Sequence, residues 1–248
     1  MKRKDAWLRI LSAILVGASL TTYFVHYLIF RDLRNIVFYT LLDIGFLCLN
    51  VLLVVLLLER LLAQREKRSK LDKLNMVIGT FFSEVGLELL KRFSAFAANA
   101  AELEGRVRIA PHWGRKDFSQ ATEAARTFAY EILPDRGKLA DLGGFLTAKR
   151  VFLIGLLENP SLLEHESFTD LLWAVFHLAE ELSFRNNLFR ELPESDLQHL
   201  AGDLKRAYSQ MTGIWIDHVR HLKESYPFLF SLAARINPLN PDASAIVR

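Results

Sequence analysis

A chain of 248 residues with a net charge of +3 has only a mild basic excess, and no basic stripe with interleaved aromatics of the kind that nucleic-acid binding requires. The single cysteine, Cys48, excludes an intrachain disulfide and a cysteine-based zinc site. The 51% hydrophobic content is concentrated at the start of the chain, and the remainder is of ordinary domain size, rich in Leu, Ala and Phe and poor in Gly and Pro.

Residues 7–30 and 36–58 are apolar stretches separated only by Arg31-Asp32-Leu33-Arg34-Asn35. About 20 apolar residues rising ~1.5 Å each span the hydrocarbon of a bilayer, so each stretch is long enough to cross. The short connection requires the two helices to lie antiparallel. Residues 1–62 therefore predict a transmembrane hairpin. Lys2, Arg3, Lys4 and Arg9 open the first span, and Arg60, Arg65, Lys67, Arg68, Lys70 and Lys73 follow the second. The turn carries only Arg31 and Arg34, offset by Asp32. Basic residues near span ends favour the cytoplasmic side, which predicts an inner (plasma) membrane protein with Met1 and Arg248 both cytoplasmic. Trp7 is placed as an interfacial anchor, and Tyr27 and Tyr39 suit the opposite interface. A cleaved signal peptide fits the basic start, but the apolar run is too long and no small-x-small site precedes the turn.

Polar residues inside the predicted hairpin are the first candidate site. Asp43 and Asn50 lie within the second span, and folding the chain about Leu33 brings Asp43 near Tyr23, His26 and Thr22. A carboxyl in hydrocarbon costs several kcal/mol or is held neutral, so a hydrogen-bonded partner is expected. One reading is a polar clasp between helices. The other is an ion or proton path in an oligomeric channel with a helical cytoplasmic vestibule. The unbroken run Val51-Leu52-Leu53-Val54-Val55-Leu56-Leu57-Leu58 favours the clasp, because a pore helix needs a polar or small-residue stripe.

Residues 63–73 read as a basic juxtamembrane helical linker and 74–236 as a cytoplasmic helical domain. Leu71, Leu74, Ile78, Phe81, Val85, Leu89 and Phe93 recur at helical spacing, the mark of a buried face. Gly79, Ser83 and Gly86 make a second, small-residue face suited to close packing, within the chain or against another copy. Further helices are predicted over 117–133, with Phe128 and Ile132 on its apolar face, and over 138–158, with Val151 inward. A helix over 167–185 is capped by Ser167 with Asp170. A long helix over 195–224 is stopped by Tyr226-Pro227, and a short one follows over 228–236. Residues 237–248 read as a loose tail. The fold class is all-α: an N-terminal hairpin followed by a helical bundle.

His177, Glu180 and Glu181 share a helix, as do His218 and His221, with His199 further back on the latter. Helical bundles hold metals with one His and one carboxylate per helix. The Glu-x-x-His order of di-iron bundles is reversed here in one place and absent in the other, so no metal and no cofactor is expected. No phosphate loop, nucleophile elbow, kinase set or His-Glu-x-x-His is present. The expectation is a non-enzymatic, membrane-anchored interaction or scaffold protein whose partners are the lipid bilayer, a second copy of itself and another protein. A channel subunit is the alternative, and a membrane-tethered metalloenzyme using His177, Glu180, Glu181, His218 and His221 is the weaker one.

Overall fold

Asp32 makes the first turn of the chain. Its Oδ1 accepts the Arg34 amide at 2.9 Å and the Asn35 amide at 3.3 Å, and its Oδ2 accepts the Asn35 side-chain amide at 2.8 Å. These bonds satisfy amides that a helix start leaves without partners. Arg31 takes the left-handed conformation, φ 47°, at the end of the preceding helix. The turn is thus Arg31 and Asp32 alone; Leu33, Arg34 and Asn35, read from sequence as part of it, are already helical. The structure, a computed structural model, describes residues 2–160, 162, 165–185, 188–240 and 242–246, with side chains from residue 10 onward. Met1, Arg248 and the Trp7 side chain, on which the topology and anchor readings rest, lie outside the described residues.

The chain divides into two compact units, residues 1–67 and 68–248. The first contains α1 (Lys2–Phe30) and the start of α2 (Leu33–Phe81). Both helices are long and apolar enough to cross a membrane. Their apolar side chains are uncovered: Leu20 is 66% exposed and Leu53 65%. Their hydroxyls turn back on the helix, Thr21 to the Gly17 carbonyl at 2.8 Å, Thr22 to Ala18 at 2.9 Å and Thr40 to Ile36 at 2.7 Å.

The second unit is built from helices among its described residues, and its core starts at Leu74. The end of α2 passes through a π-helical turn, Phe82–Gly86, into α3 (Leu87–Ser94). The predicted face is buried from Leu74 to Phe93, while Leu71 is exposed. The π turn adds one residue to the helical repeat, so Phe82 turns inward beside Phe81, their rings 5.3 Å apart.

After α4 (Ala100–Val107), α5 runs over Arg115–Thr127, with Asp117 accepting the Gly114 amide at 2.7 Å. The helix predicted to reach residue 133 stops at Thr127. Asn99 captures the backbone beyond it in extended form, donating to the Ala129 carbonyl at 2.8 Å and accepting the Glu131 amide at 3.2 Å. Ala97 and Ile132 form an isolated antiparallel bridge there. Pro134 also disfavours a helical Leu133. α6 (Arg136–Leu157) is capped by Asp135, which accepts the Lys138 amide at 2.8 Å. Gly143 lets the helix that carries Leu182 approach: a Cβ there would lie 3.4 Å from the Leu182 Cβ. Val151, expected inward, is 85% exposed.

α7 (Glu166–Phe184) begins one residue before the predicted cap, and His165, not Ser167, caps it by accepting the Phe168 amide on Nδ1 at 3.2 Å. α8 (Glu194–Ser225) is the centre of the unit, with α3, α5, α7 and the helix that follows it all packed on it. Tyr226 separates it from α9 (Pro227–Arg235), where Pro227 takes the first helical position.

The start of the segment read as a loose tail, residues 237–240, is docked. Asn237 and Leu239 are fully buried. Asn237 Oδ1 accepts the Trp215 indole N–H at 2.9 Å and the Leu239 amide at 3.2 Å. Arg108 pairs with Asp242 at 2.9 Å, and Arg235 donates to the Ala245 carbonyl at 2.8 Å. The polar, proline-containing composition of 237–240 concealed a buried hydrogen-bond acceptor and one core leucine.

Candidate functional site

Spacing by one helical turn places His177 and Glu181 together on α7, and His199 and Asp203 together on α8. The pairings across the two helices run in opposite order: His177 meets Asp203, Glu181 meets His199, and Arg185 meets Asp196. The helices are therefore antiparallel, and the four side chains close into a ring. His177 Nε2 lies 3.5 Å from Asp203 Oδ2, and His199 Nε2 lies 3.4 Å from the same oxygen. Glu181 completes the ring, Oε1 at 3.9 Å from His177 Nε2 and Oε2 at 3.6 Å from His199 Nε2.

Burial within the ring is uneven. Asp203 is 5% exposed, and its Oδ2 has no hydrogen-bond donor. The two imidazoles are about half exposed, so the ring opens to solvent on the histidine side. Arg185 braces the arrangement. It donates Nε and one terminal nitrogen to Asp196 at 2.6 and 2.7 Å, and its other terminal nitrogen to Glu181. The hydrogen bonds that Arg185 donates to Asp196 hold the Asp196 carboxyl below its ordinary range and raise the Arg185 guanidinium. Arg206 lies 3.7 Å from the outer oxygen of Asp203.

Glu180, grouped with His177 in the sequence reading, points elsewhere and pairs with Arg150 at 3.3 Å. His218 and His221 also stand apart from this ring, because they line a groove formed by α2, α8 and α9. Sequence inspection noted His199 without assigning it and missed Asp203. The signal was available as His-x-x-x-Glu and His-x-x-x-Asp on consecutive helices. It became specific only once those helices were known to be antiparallel and in register.

The groove has a volume of about 670 Å³ and is bordered by Met76, Gly79, Leu222, Leu229 and Leu232. Gly79 and Ser83 open onto it, and the His218 ring would lie 3.4 Å from a Cβ at Gly79. Gly86 does not share this face. It is buried, and a Cβ there would meet Phe82 at 2.5 Å and Phe81 at 3.0 Å. The π turn between Ser83 and Gly86 breaks the register on which the three-residue face was drawn.

His218 stacks on Phe82, ring centroids 5.5 Å apart, and its Nδ1 is buried without a hydrogen-bond partner. Burial pushes it down from 6.5 to about 4, with neighbouring His221 adding to the shift. His221 is itself lowered by burial, against the opposing pull of Asp72 and Glu224. The unfolded chain takes a proton at His218 below about pH 6.5, whereas the folded chain waits until about pH 4. Stability from this group is intact above that window and is lost as pH falls through it, by about 3 kcal/mol. Urea unfolding at pH 7 and pH 4.5 should show a smaller acid loss for His218→Leu than for the wild type. Equal losses would remove His218 from the pH response.

In the first unit, Tyr23 and His26 of α1 and Asp43 of α2 line one cavity of about 300 Å³ with Thr22, Ile36 and Tyr39. The sequence reading brought Asp43 near Tyr23, His26 and Thr22, and did not include Ile36 or Tyr39. Among the described residues no hydrogen bond joins Asp43 to Tyr23 or His26, and His26 Nδ1 has no partner. The His26 ring lies on Phe30 at 4.7 Å. Asn50 does not line this cavity.

Residues 70–235 match the family described as "Uncharacterized protein MJ1433, C-terminal helical domain", and residues 2–62 match "MJ1433, N-terminal helical domain". The chain belongs to the MJ1433 family. It is 40% identical over 234 residues to "Uncharacterized protein MJ1433" of Methanocaldococcus jannaschii, with 94% of each chain covered. No solved structure matches. Both family descriptions specify helical domains, in agreement with the all-helical fold. The four-residue ring and all of the groove lining but Ile236 fall within the C-terminal match, and Asn237 and Leu239 also lie just beyond it.

Proposed function

We propose that this MJ1433-family chain is a bilayer-anchored helical protein without enzymatic activity, which works by protein contact and whose first partner is a second copy of itself. The observation that carries the anchoring is the uncovered apolar surface of α1 and of α2 through Leu62. Leaving one such side chain in water forgoes roughly 1.5–3 kcal/mol, and dozens together are compatible with solution only if lipid covers them. The back-bonded threonine hydroxyls support this, since polar groups in hydrocarbon need internal partners. The basic residues flanking the spans favour cytoplasmic termini.

Self-association is supported by an unfilled apolar groove and an uncovered aromatic on the same helix, α9. Leu229 and Leu232 line the groove, while Phe228 is 72% exposed. A surface carrying both a knob and a hole can complement a copy of itself. Confinement to a membrane plane raises the effective concentration that drives such pairing. The protein should remain in the membrane fraction after alkaline carbonate washing and run as an oligomer by light scattering in mild detergent. Phe228→Glu should shift it to monomer with unchanged helicity. Release by carbonate overturns the anchor, and a monomeric wild type at all workable concentrations overturns the self-association.

A further inference from the structure

We propose that His177, His199 and Asp203 bind a divalent first-row transition ion of the zinc type, with Glu181 completing the set and the ion clamping α7 to α8. One ligand atom from each of the first three lies within 4.8 Å of the other two. Two imidazole nitrogens and a carboxylate oxygen form a borderline donor set suited to zinc, cobalt and nickel, rather than to calcium or magnesium. The spacing also fits. Ligands about 2.1 Å from a tetrahedral ion stand about 3.4 Å from one another. The imidazole nitrogens lie 3.5 and 3.4 Å from Asp203 Oδ2.

The unpartnered Asp203 oxygen separates a metal site from an ordinary surface cluster. Asp203 is 5% exposed, and its Oδ2 faces both imidazole nitrogens yet accepts a hydrogen bond from neither. A buried carboxylate oxygen with no donor is costly, and a cation at the centre of the ring relieves that cost. Simple ion pairing with protonated histidines would instead direct a ring N–H at that oxygen. Arg185 holds Glu181 through Oε2, which leaves Oε1, 3.9 Å from His177 Nε2, for the fourth position. The half-exposed histidines provide the entry path.

The test uses the full-length protein without a polyhistidine tag, in mild detergent, stripped with a chelator and then titrated calorimetrically with Zn²⁺. Visible absorption with Co²⁺ reports the coordination geometry. One Zn²⁺ per chain, a raised thermal midpoint and a tetrahedral Co²⁺ spectrum are expected. Asp203→Asn and the double variant His177→Gln, His199→Gln should each weaken Zn²⁺ binding by at least ~100-fold, a loss at the upper end of what even supporting residues produce. Glu180→Gln, which alters the pair with Arg150, should bind as the wild type does. If Asp203→Asn fails to fold, the double variant, altered at half-exposed rings, decides the matter. Folded wild type that takes up neither Zn²⁺ nor Co²⁺ overturns the site, and so does undiminished stoichiometric binding by the folded double variant.

Discussion

Gly86→Leu will unfold the second unit, whereas Gly79→Ala will leave it as stable as the wild type or slightly more so. The two glycines resemble each other in sequence and differ in surroundings. A Cβ at Gly86 meets the Phe82 ring at 2.5 Å and the Phe81 ring at 3.0 Å. Neither ring has room to move: Phe81 is packed on Phe168 at 5.5 Å, and Phe82 on Trp215 at 5.0 Å. Both rings are at most 2% exposed. Overpacking of a tight core costs about 1–3 kcal/mol for a few added carbons and more for a branched side chain. Against this, replacing a helical glycine gains only about 1 kcal/mol. Gly86→Ala should therefore lose up to about 2 kcal/mol net. At Gly79 the nearest atom is the edge of His218 at 3.4 Å, an ordinary contact, so the helix-propensity gain remains. Circular dichroism and urea midpoints for the three variants decide this. Gly86→Leu that stays helical but becomes monomeric would restore Gly86 to an intermolecular face.

Removal of the chain after Ile236 will cost the second unit about 4–6 kcal/mol, a large part of the 5–15 kcal/mol typical of a domain. Losing the fully buried Leu239 forfeits about 2–5 kcal/mol. Losing Asn237 leaves the buried Trp215 indole N–H without its acceptor, at about 1–3 kcal/mol. The point variant Asn237→Leu isolates the second contribution. Urea unfolding followed by Trp fluorescence, together with limited proteolysis, measures both. Unchanged midpoints for the truncation would mean that the segment contributes nothing to the core.

The helical character of the chain was legible because its apolar residues follow the helical period. Leu74, Ile78, Phe81, Val85, Leu89 and Phe93 were all assigned to the core from spacing, and all are buried. Errors arose where one long-range contact overrides a local pattern. Phe128 and Ile132 sit at helical spacing from Phe118 and Ala121, yet the side chain of Asn99, some thirty residues earlier, holds that backbone extended. Asn237 lies in a stretch with the composition of a tail, and only the position of Trp215 makes it a core residue. The His177 ring was half legible. Each His–carboxylate pair is local, but the pairing of the pairs depends on how α7 and α8 are aligned. The π turn left no signature in the spacing, and it separates Gly86 from Gly79 and Ser83.

The central place of α8 has a consequence for how the chain is made. Phe82 finds its partner in Trp215, and Phe93 finds its partner in Tyr208. Both partners belong to α8, which begins only at Glu194. At ~5–20 residues per second, roughly 5–25 seconds pass between synthesis of these phenylalanines and synthesis of the helix that covers them. Through that interval α3, and then α5 and α7 as each is made, lack the surface on which they later rest. The core around Phe82 and Phe93 therefore cannot close until α8 has been made, long after α1 and the start of α2.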